Sequence, residues 1–334
     1  MTMIASGDLA QSYLLKSNTA RLKGTLDRLT KEFAEGRVSD VGATLNGDLT
    51  RLTAVSRARG MTEGYLSAGR EAAAHSAAMQ LALQSIAGTT GPMVGKLLTA
   101  SQLSTDDNVE LTGVDARGRL DSVLATMNAA SGGRSLFAGQ AIDQPAVADA
   151  ATILTALNAA LVGATTAEDA MQRISDWFDD PAGYVAVAYL GDVPLTPVAV
   201  SATDRVWMGV TAEDQAFRNM LKGMSAAALL DDPASPLPPV ILKDLARLSA
   251  EALIAGNDDM TLLAAKLGIS EGRIDAATSR AAVDLLAQEM EQSDLVKSDP
   301  ERLALELEAV QTNLESLYAI TARLSRMSLT DFLR

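Results

Sequence analysis

The sequence predicts a mainly α-helical protein with a small α+β insert in the middle of the chain. Both ends carry apolar residues at alternating steps of three and four, the spacing of helices that pair along a narrow seam. The middle is rich in Ala, Leu and Met with helical periodicity, and contains runs typical of strands at residues 184–189, 193–200 and 205–208. We therefore expect paired helical ends around a central insert of mixed structure.

The two terminal seams are the clearest pattern in the chain. The N-terminal seam comprises Leu15, Thr19, Leu22, Leu26, Leu29 and Phe33. The C-terminal seam comprises Leu303, Leu307, Val310, Leu314, Leu317, Thr321, Leu324 and Ser328. The C-terminal helix has a clear start, because Asp299 suits an N-cap and Pro300 suits the first helical position.

Each terminal helix needs a partner, because a helix with a single apolar stripe is marginal alone. Burying the C-terminal seam is worth on the order of 10–15 kcal/mol, whereas ordering its backbone costs ~1–2 kcal/mol for each residue. We expect these helices to order when subunits assemble; a hairpin within one chain is the alternative. The candidate assembly interface comprises Leu22, Leu26, Leu29, Phe33, Leu303, Leu307, Val310, Leu314, Leu317 and Leu324.

The segment between the ends is expected to contain several helices separated by turns and by the β-like runs. Turn-forming residues divide it at four places, 89–92, 104–108, 131–133 and 231–239. Helical patterns occupy much of the remainder, at 61–130 between those turns, 153–161, 240–255 and 271–296.

The composition excludes several classes of function. The 334 residues include no cysteine and one histidine, which excludes disulfides, thiolate–zinc sites, iron–sulfur clusters, cysteine nucleophiles and multi-histidine sites. With 28 basic and 42 acidic side chains the net charge is −14, which argues against nucleic acid, since phosphates need clustered Lys and Arg. The acidity lies in the middle: residues 1–60 carry nine basic and six acidic side chains, and residues 297–334 carry five and six. A difference in net charge between the ends and the middle of a chain is typical of segments that contact different molecules.

None of the patterns that could carry catalysis or ligand binding is convincing. Residues 263–274 resemble a helix-turn-helix, but their acidic surroundings argue against DNA, and Ser270 is expected to cap the next helix. His75 has Glu71 as its one acidic neighbour and is expected at a surface or interface. Solvated turns are expected at four pairs of aspartates, 106–107, 179–180, 231–232 and 258–259. We expect no enzyme activity, no cofactor and no metal.

Neither a membrane span nor an ordinary secretory signal is expected. The longest stretch without charge, residues 72–95, is broken by several polar residues and by Pro92, whereas a span needs ~20 predominantly apolar residues. The first residues have neither a basic start nor a continuous apolar segment. Any export is therefore expected to use another route.

Several segments resemble the flagellin superfamily. Residues 308–333, EAVQTNLESLYAITARLSRMSLTDFL, are closely similar to the C-terminal helix of that superfamily, and residues 29–37, LTKEFAEGR, resemble its N-terminal LSxxLSSGxR region. Residues 134–139, RSLFAG, are similar to the LFSG/LFAG element of the members that join hook to filament. Residues 4–15 and 177–184 resemble alphaproteobacterial proteins of that group.

The resemblance implies a structural protein of the bacterial flagellum, needed for motility, that forms the junction ring between hook-associated protein 1 and the flagellin filament. It implies three domains: a terminal coiled coil, D0 (1–36 with 298–334), a helical D1 (37–135 with 265–297) and an outer α+β D2 (136–264). Subunits of this kind leave the cell unfolded by type III export without a cleaved signal peptide, so an extracellular location is expected. The implied partners are hook-associated protein 1, flagellin, copies of the same chain and an export chaperone, with no nucleic acid and no membrane insertion.

Two alternatives stay open. A flagellin filament subunit shares the terminal helices, although the Leu136-Phe137 element and the modest length argue against it. A cytoplasmic coiled-coil adaptor would carry the same kind of seam and would stay in the cell. An enzyme, in contrast, needs a pocket with convergent polar groups.

Overall fold

The computed structural model describes the backbone of residues 4–103 and 106–332 and the side chains of most of these residues. In this part of the chain the protein is mainly α-helical with two small antiparallel sheets, which confirms the predicted fold class. The helices are α1 (Ile4–Glu35), α2 (Val41–Thr44), α3 (Thr50–Leu103), α4 (Asp106–Met127), α5 (Ala150–Ala160), α6 (Ala167–Asp179), α7 (Gln215–Ala228), α8 (Leu242–Val296) and α9 (Pro300–Phe332). The strands are β1 (Ala130–Ser131), which pairs with β2 (Arg134–Ser135), and β3 (Val198–Ala199), which pairs with β4 (Arg205–Val206).

The chain divides into two compact units. The terminal unit comprises Met1–Met61 and Val283–Arg334, and the central unit comprises Thr62–Ala282. The long helices α3 and α8 each contribute residues to both units. The finer division into D0, D1 and D2 stays a prediction.

In the terminal unit, α1 packs against α9, and the two linkers next to these helices pair with each other. The amide N of Val38 donates to the carbonyl O of Val296 at 3.0 Å, and that of Ser298 donates to the carbonyl O of Gly36 at 3.1 Å. Gly36 ends α1 at a φ of +65°, a conformation that suits glycine. The Asp299 carboxylate accepts hydrogen bonds from two backbone amides of the first turn of α9, which agrees with its predicted role as N-cap.

In the central unit, α4 packs against α7 around a large apolar core that includes the 136–138 segment. The ring of Phe137 meets that of Phe217 edge to face, with centroids 5.1 Å apart. Gly139 follows at a φ of +62° and lies so close to the carbonyl oxygen of Asp192 that a Cβ would collide with it. The LFAG motif is therefore a core segment followed by a tight turn.

Helix α3 continues through Pro92, so the predicted division around residues 89–92 is wrong. Proline lacks an N–H and crowds the preceding turn, which usually ends or kinks a helix. Here Arg119 of α4 donates from Nη1 to the carbonyl oxygen of Thr89 at 2.9 Å. Thr90 is fully buried and anchors the same turn through a 2.7 Å hydrogen bond to Asn257 of α8. Contacts from two other helices thus hold this turn in place. Of the second predicted division, 104–108, residues 104 and 105 lie outside the described residues, and residues 106–108 belong to α4, which begins at Asp106.

The three predicted strands reduce to one small hairpin. Strands β3 and β4 fall within two of the predicted runs, but the prediction for 184–189 is wrong. Tyr184 lies in a kinked helical segment, Pro181–Val185, whose backbone is non-helical at Gly183. Its side chain is fully buried, and its hydroxyl donates to the carbonyl oxygen of Ala212 at 2.9 Å. The fully buried residues of this run, Tyr184 and Ala188, are four positions apart, which is a helical spacing, and Val187 between them is exposed.

Helix α8 is one helix over Leu242–Val296, so the predicted gap between residues 255 and 271 is wrong. Ser270, expected as an N-cap, lies inside the helix and is buried between Leu267 and Ile274 on the same face. The segment 263–274 contains no turn and is no helix-turn-helix. Asp258 and Asp259 also lie within this helix and form no turn.

Candidate assembly interface

The two terminal seams lie against each other within one chain. Leu29 of α1 and Leu303 of α9 are each 1% exposed, and Leu314 is 7% exposed. Half-buried positions along the same two helices are occupied by Leu22, Leu26, Leu307, Val310 and Leu317. The structure thus brings eight of the ten candidate residues together in the α1–α9 pair. Their role in contacts between chains stays a prediction.

The other two candidate residues are placed differently. Phe33 continues the spacing of the seam but is 52% exposed, because the neighbouring Glu32 takes the buried position. Leu324 belongs to α9, and its side chain lies outside the described residues.

Glu32 joins α1 to the linkers at the base of the helix pair. Its carboxylate accepts a hydrogen bond from Nη1 of Arg28 at 2.8 Å and another from the amide N of Ser39 at 3.0 Å. The Ser298 hydroxyl donates to the Glu32 carbonyl oxygen at 3.3 Å. Burial acts to raise the pKa of Glu32, but the hydrogen bonds from Ser39 and Arg28 outweigh it and leave the pKa below its usual value. A buried carboxylate is thus held ionised where the two ends of the chain meet.

The outer faces of the helix pair carry large apolar side chains that do not belong to the seams. On α9, Leu305 is 69% exposed, Ile320 52% and Tyr318 49%. On α1, Tyr13 and Leu14 are also largely exposed. The three-and-four repeat does not identify these five residues, because it follows a single seam. Their signal in the sequence is that they are large apolar residues outside the repeat. Exposed apolar side chains on a packed helix pair suit contacts with other proteins.

The single histidine lies in the central unit, beside a cavity of about 130 Å³. Nε2 of His75 is buried and has no hydrogen-bond partner. Burial, and to a lesser extent the charge of Arg134, lower the pKa of His75 below its usual value. Arg134 itself forms an ion pair with Glu71 at 2.7 Å. This histidine is therefore a neutral, half-buried packing residue.

The acidic pairs outside α8 serve as helix starts, ion pairs and caps. Asp106 and Asp107 open α4. Asp179 accepts a 2.7 Å hydrogen bond from Nζ of Lys222. Asp180 caps the kinked segment Pro181–Val185, and Asp232 accepts a hydrogen bond from Asn158 at 2.8 Å. Among the described residues, no group of three or more His, Asp or Glu side chains is placed to hold a metal ion.

Within the described ranges, no helix combines the length and the apolar character needed to cross a membrane. No protein-family model matches the chain, and no curated protein matches its sequence. Among solved structures, the chain is similar to one described as a flagellar hook-associated protein from Vibrio parahaemolyticus, with a TM-score of 0.53 and 15% sequence identity. The match covers 73% of this chain and 95% of that one. The chain therefore has the fold of that flagellar protein.

Proposed function

We propose that this chain is an axial structural component of the bacterial flagellum and forms the junction ring between hook and filament, as hook-associated protein 3 does. Its neighbours are hook-associated protein 1 on the hook side, flagellin on the filament side and further copies of itself within the ring. It leaves the cell unfolded through the flagellar type III exporter, with the help of a chaperone and without a cleaved signal peptide.

The observation that carries the proposal is the pairing of the first and last helices of the chain, within a fold shared with a flagellar hook-associated protein. The terminal pair keeps exposed apolar side chains, Leu305 and Ile320 among them, which a subunit needs for contacts with its neighbours. The RSLFAG segment, buried from Ser135 to Gly139, supports the junction position over that of a filament subunit, because its resemblance is to the proteins that join hook to filament.

Immunogold labelling of intact flagella tests the position directly. A junction protein gives one band of label where the hook ends. Label along the whole filament would identify a flagellin, and retention in the cell pellet would identify a cytoplasmic adaptor; either result would contradict the junction role.

Deletion of residues 303–334 tests the contribution of α9. We expect hooks that hold no filaments and flagellin that is lost to the medium, because the α1–α9 pair cannot form. The matched variant Leu317→Asp should block assembly, since it places a charge at a half-buried seam position, while the central unit keeps its fold. Normal filaments in the deletion strain would contradict the proposal.

A further inference from the structure

We infer that α8 carries a second helix-pairing seam, on its solvent side in the central unit, and that this seam packs against α4 of a neighbouring copy of the chain. The choice of a second copy as the occupant rests on the proposed function, in which identical subunits assemble side by side. The terminal helices take no part in this contact, so it is a separate surface from the candidate interface described above.

The inner side of α8 already has a complete seam. Its residues are buried and recur at steps of three and four: Met260, Leu263, Leu267, Ser270, Ile274, Ala277 and Ala281. This side contacts α3, because Gln80 donates to the carbonyl oxygen of Ala264 at 2.8 Å and Ser76 donates to the Glu271 carboxylate at 2.9 Å. The packing of α8 within the central unit therefore explains the burial of this inner seam, but it does not explain apolar residues on the outer side of the helix.

A second set of residues on α8 follows the same spacing and is exposed throughout. It comprises Leu262, Ala265, Ile269, Gly272, Ala276 and Ser279. Leu262 is 61% exposed and Ile269 is 68% exposed. At 3.6 residues per turn this set lies roughly 150° around the helix from the buried seam and extends for ~27 Å. A heptad pattern of large apolar residues and small residues is typical of a helix that packs closely on another helix.

The flanks of this outer seam favour an acidic partner. Lys266 and Arg280 lie exposed along one edge. Arg273, between them, is bound to Asp204 of the same chain. The opposite edge carries one exposed acid, Asp275. A partner helix with an apolar stripe and acidic neighbours would complement this surface.

Helix α4 of the same unit has those properties. Its exposed face carries Leu111, Val114, Gly118 and Ala125 at heptad spacing, with Asp121 at the position between the last two. Leu111 is 66% exposed and Val114 50%. Three acids accompany them on that face: Asp107, Glu110 and Asp121.

The surface beside this stripe is concave. An open hollow of about 820 Å³ lies next to Leu111 and Val114 and is also lined by Pro92 and Gly95. A projecting side chain such as Ile269 can enter such a hollow, as a knob enters a hole. Because the two surfaces differ, a copy can use its α8 seam on one neighbour and its α4 stripe on another, and such a head-to-tail contact repeats from copy to copy and builds rings or filaments.

Cross-linking between single-cysteine copies tests this contact, since the chain has no cysteine of its own. We would mix Ile269→Cys protein with Gly118→Cys protein at high concentration and add a short bis-maleimide. Both sites stand near the middle of their stripes, so either relative orientation of the helices brings them together. A Cβ at Gly118 also meets open space. We expect cross-linked dimers in the mixture and few in either protein alone, and a control mixture of Ile269→Cys with Asp143→Cys should give few.

A charge exchange gives a second measurement. Lys266→Glu with Arg280→Glu in one chain should weaken self-association by roughly tenfold, as expected for two exposed ion pairs. Glu110→Lys with Asp121→Lys should do the same, and mixing the two variants should restore the association. Because these four residues are exposed, their substitution should leave the fold of each variant intact, and circular dichroism verifies this.

Several outcomes would overturn the inference. Cross-links in Ile269→Cys protein alone would show that the seam pairs with itself, and no cross-link in the mixture would show that it does not meet α4. If self-association were not restored when the two charge-exchanged variants are mixed, this would also show that the seam does not meet α4. The flagellar location is read separately by immunogold, so label at the junction without this cross-link would reject the contact and leave the proposed function standing.

Discussion

Leu303→Ala and Leu305→Ala form a matched pair of substitutions that separates the inner seam of the terminal helices from their outer face. Both leucines lie near the start of α9, two residues apart. Leu303 is 1% exposed and Leu305 is 69% exposed. The same chemical change therefore tests packing within the chain at one position and surface contacts at the other.

The expected effects differ in size. Truncation of a fully buried leucine to alanine costs about 2–5 kcal/mol, and less where neighbours can close the gap. Leu303 lies at one end of a two-helix pair, so we expect a loss of about 2–3 kcal/mol in the free energy of opening that pair. Leu305→Ala removes a largely solvated side chain and should change this free energy by less than about 0.5 kcal/mol.

Amide hydrogen exchange of the dilute monomer, followed by mass spectrometry, measures this free energy. Exchange in α1 and α9 should accelerate about 30- to 150-fold in Leu303→Ala and at most about twofold in Leu305→Ala. The central unit should be unaffected by both, and Leu305→Ala should instead weaken assembly. Equal acceleration by the two variants would refute this account of the helix pair, and no protection of these helices in the unmodified monomer would show that they order only when subunits assemble.

Three further predictions concern His75, a matched pair of glycines on α4, and Asp299. Burial lowers the pKa of His75, so the unfolded chain takes up this proton first and the central unit loses stability as the pH falls below about 6.5. Thermal unfolding between pH 7 and 5 should show this loss, and His75→Gln should remove it. Gly113→Ala would place a Cβ 2.5 Å from a backbone nitrogen of the 229–231 turn and should destabilise the central unit by about 1–3 kcal/mol in urea unfolding. Gly118→Ala on the same helix meets open space and should stabilise it by up to ~1 kcal/mol. Asp299→Ala removes the cap of α9 and should cost about 0.5–2 kcal/mol in hydrogen exchange of its first turns, with Asp299→Asn close to neutral.

The terminal helices could be predicted because their signals are local. A three-and-four repeat and an Asp-Pro start depend on neighbours in the sequence, and both appear in the structure at Leu303 and Asp299. The same rule misplaced Phe33. Heptad spacing puts it on the seam, but Glu32 takes the buried position, where its carboxylate accepts hydrogen bonds from Arg28 and Ser39. The three-and-four repeat carries no sign of this network.

The failures in the middle of the chain have a common cause, because contacts distant in sequence overrode local preference. Pro92 lies within α3, where Arg119, 30 residues from Thr89, donates to that residue's carbonyl oxygen. Tyr184 lies in a run with the alternation of a strand, but a buried hydrogen bond to Ala212, 28 residues away, anchors a helical turn. Ser270 has the chemistry of an N-cap and instead fills a small position in the buried face of α8. The exposed second seam of α8 is also visible only once burial shows which side of the helix is occupied.

The linker pairing at Gly36 and Ser298 imposes an order on folding. Glu32 and Ser298 are 266 residues apart in the chain, and closing a flexible loop of that length costs about 5 kcal/mol in chain entropy. The central unit lowers this cost when it forms first, because contacts such as Ser76 with Glu271 already hold α3 beside α8. Only a few tens of residues then separate the remaining partners. The first and last parts of the polypeptide should therefore acquire their structure after the interior, so a chain held partly unfolded would keep both of its ends available to other molecules longest.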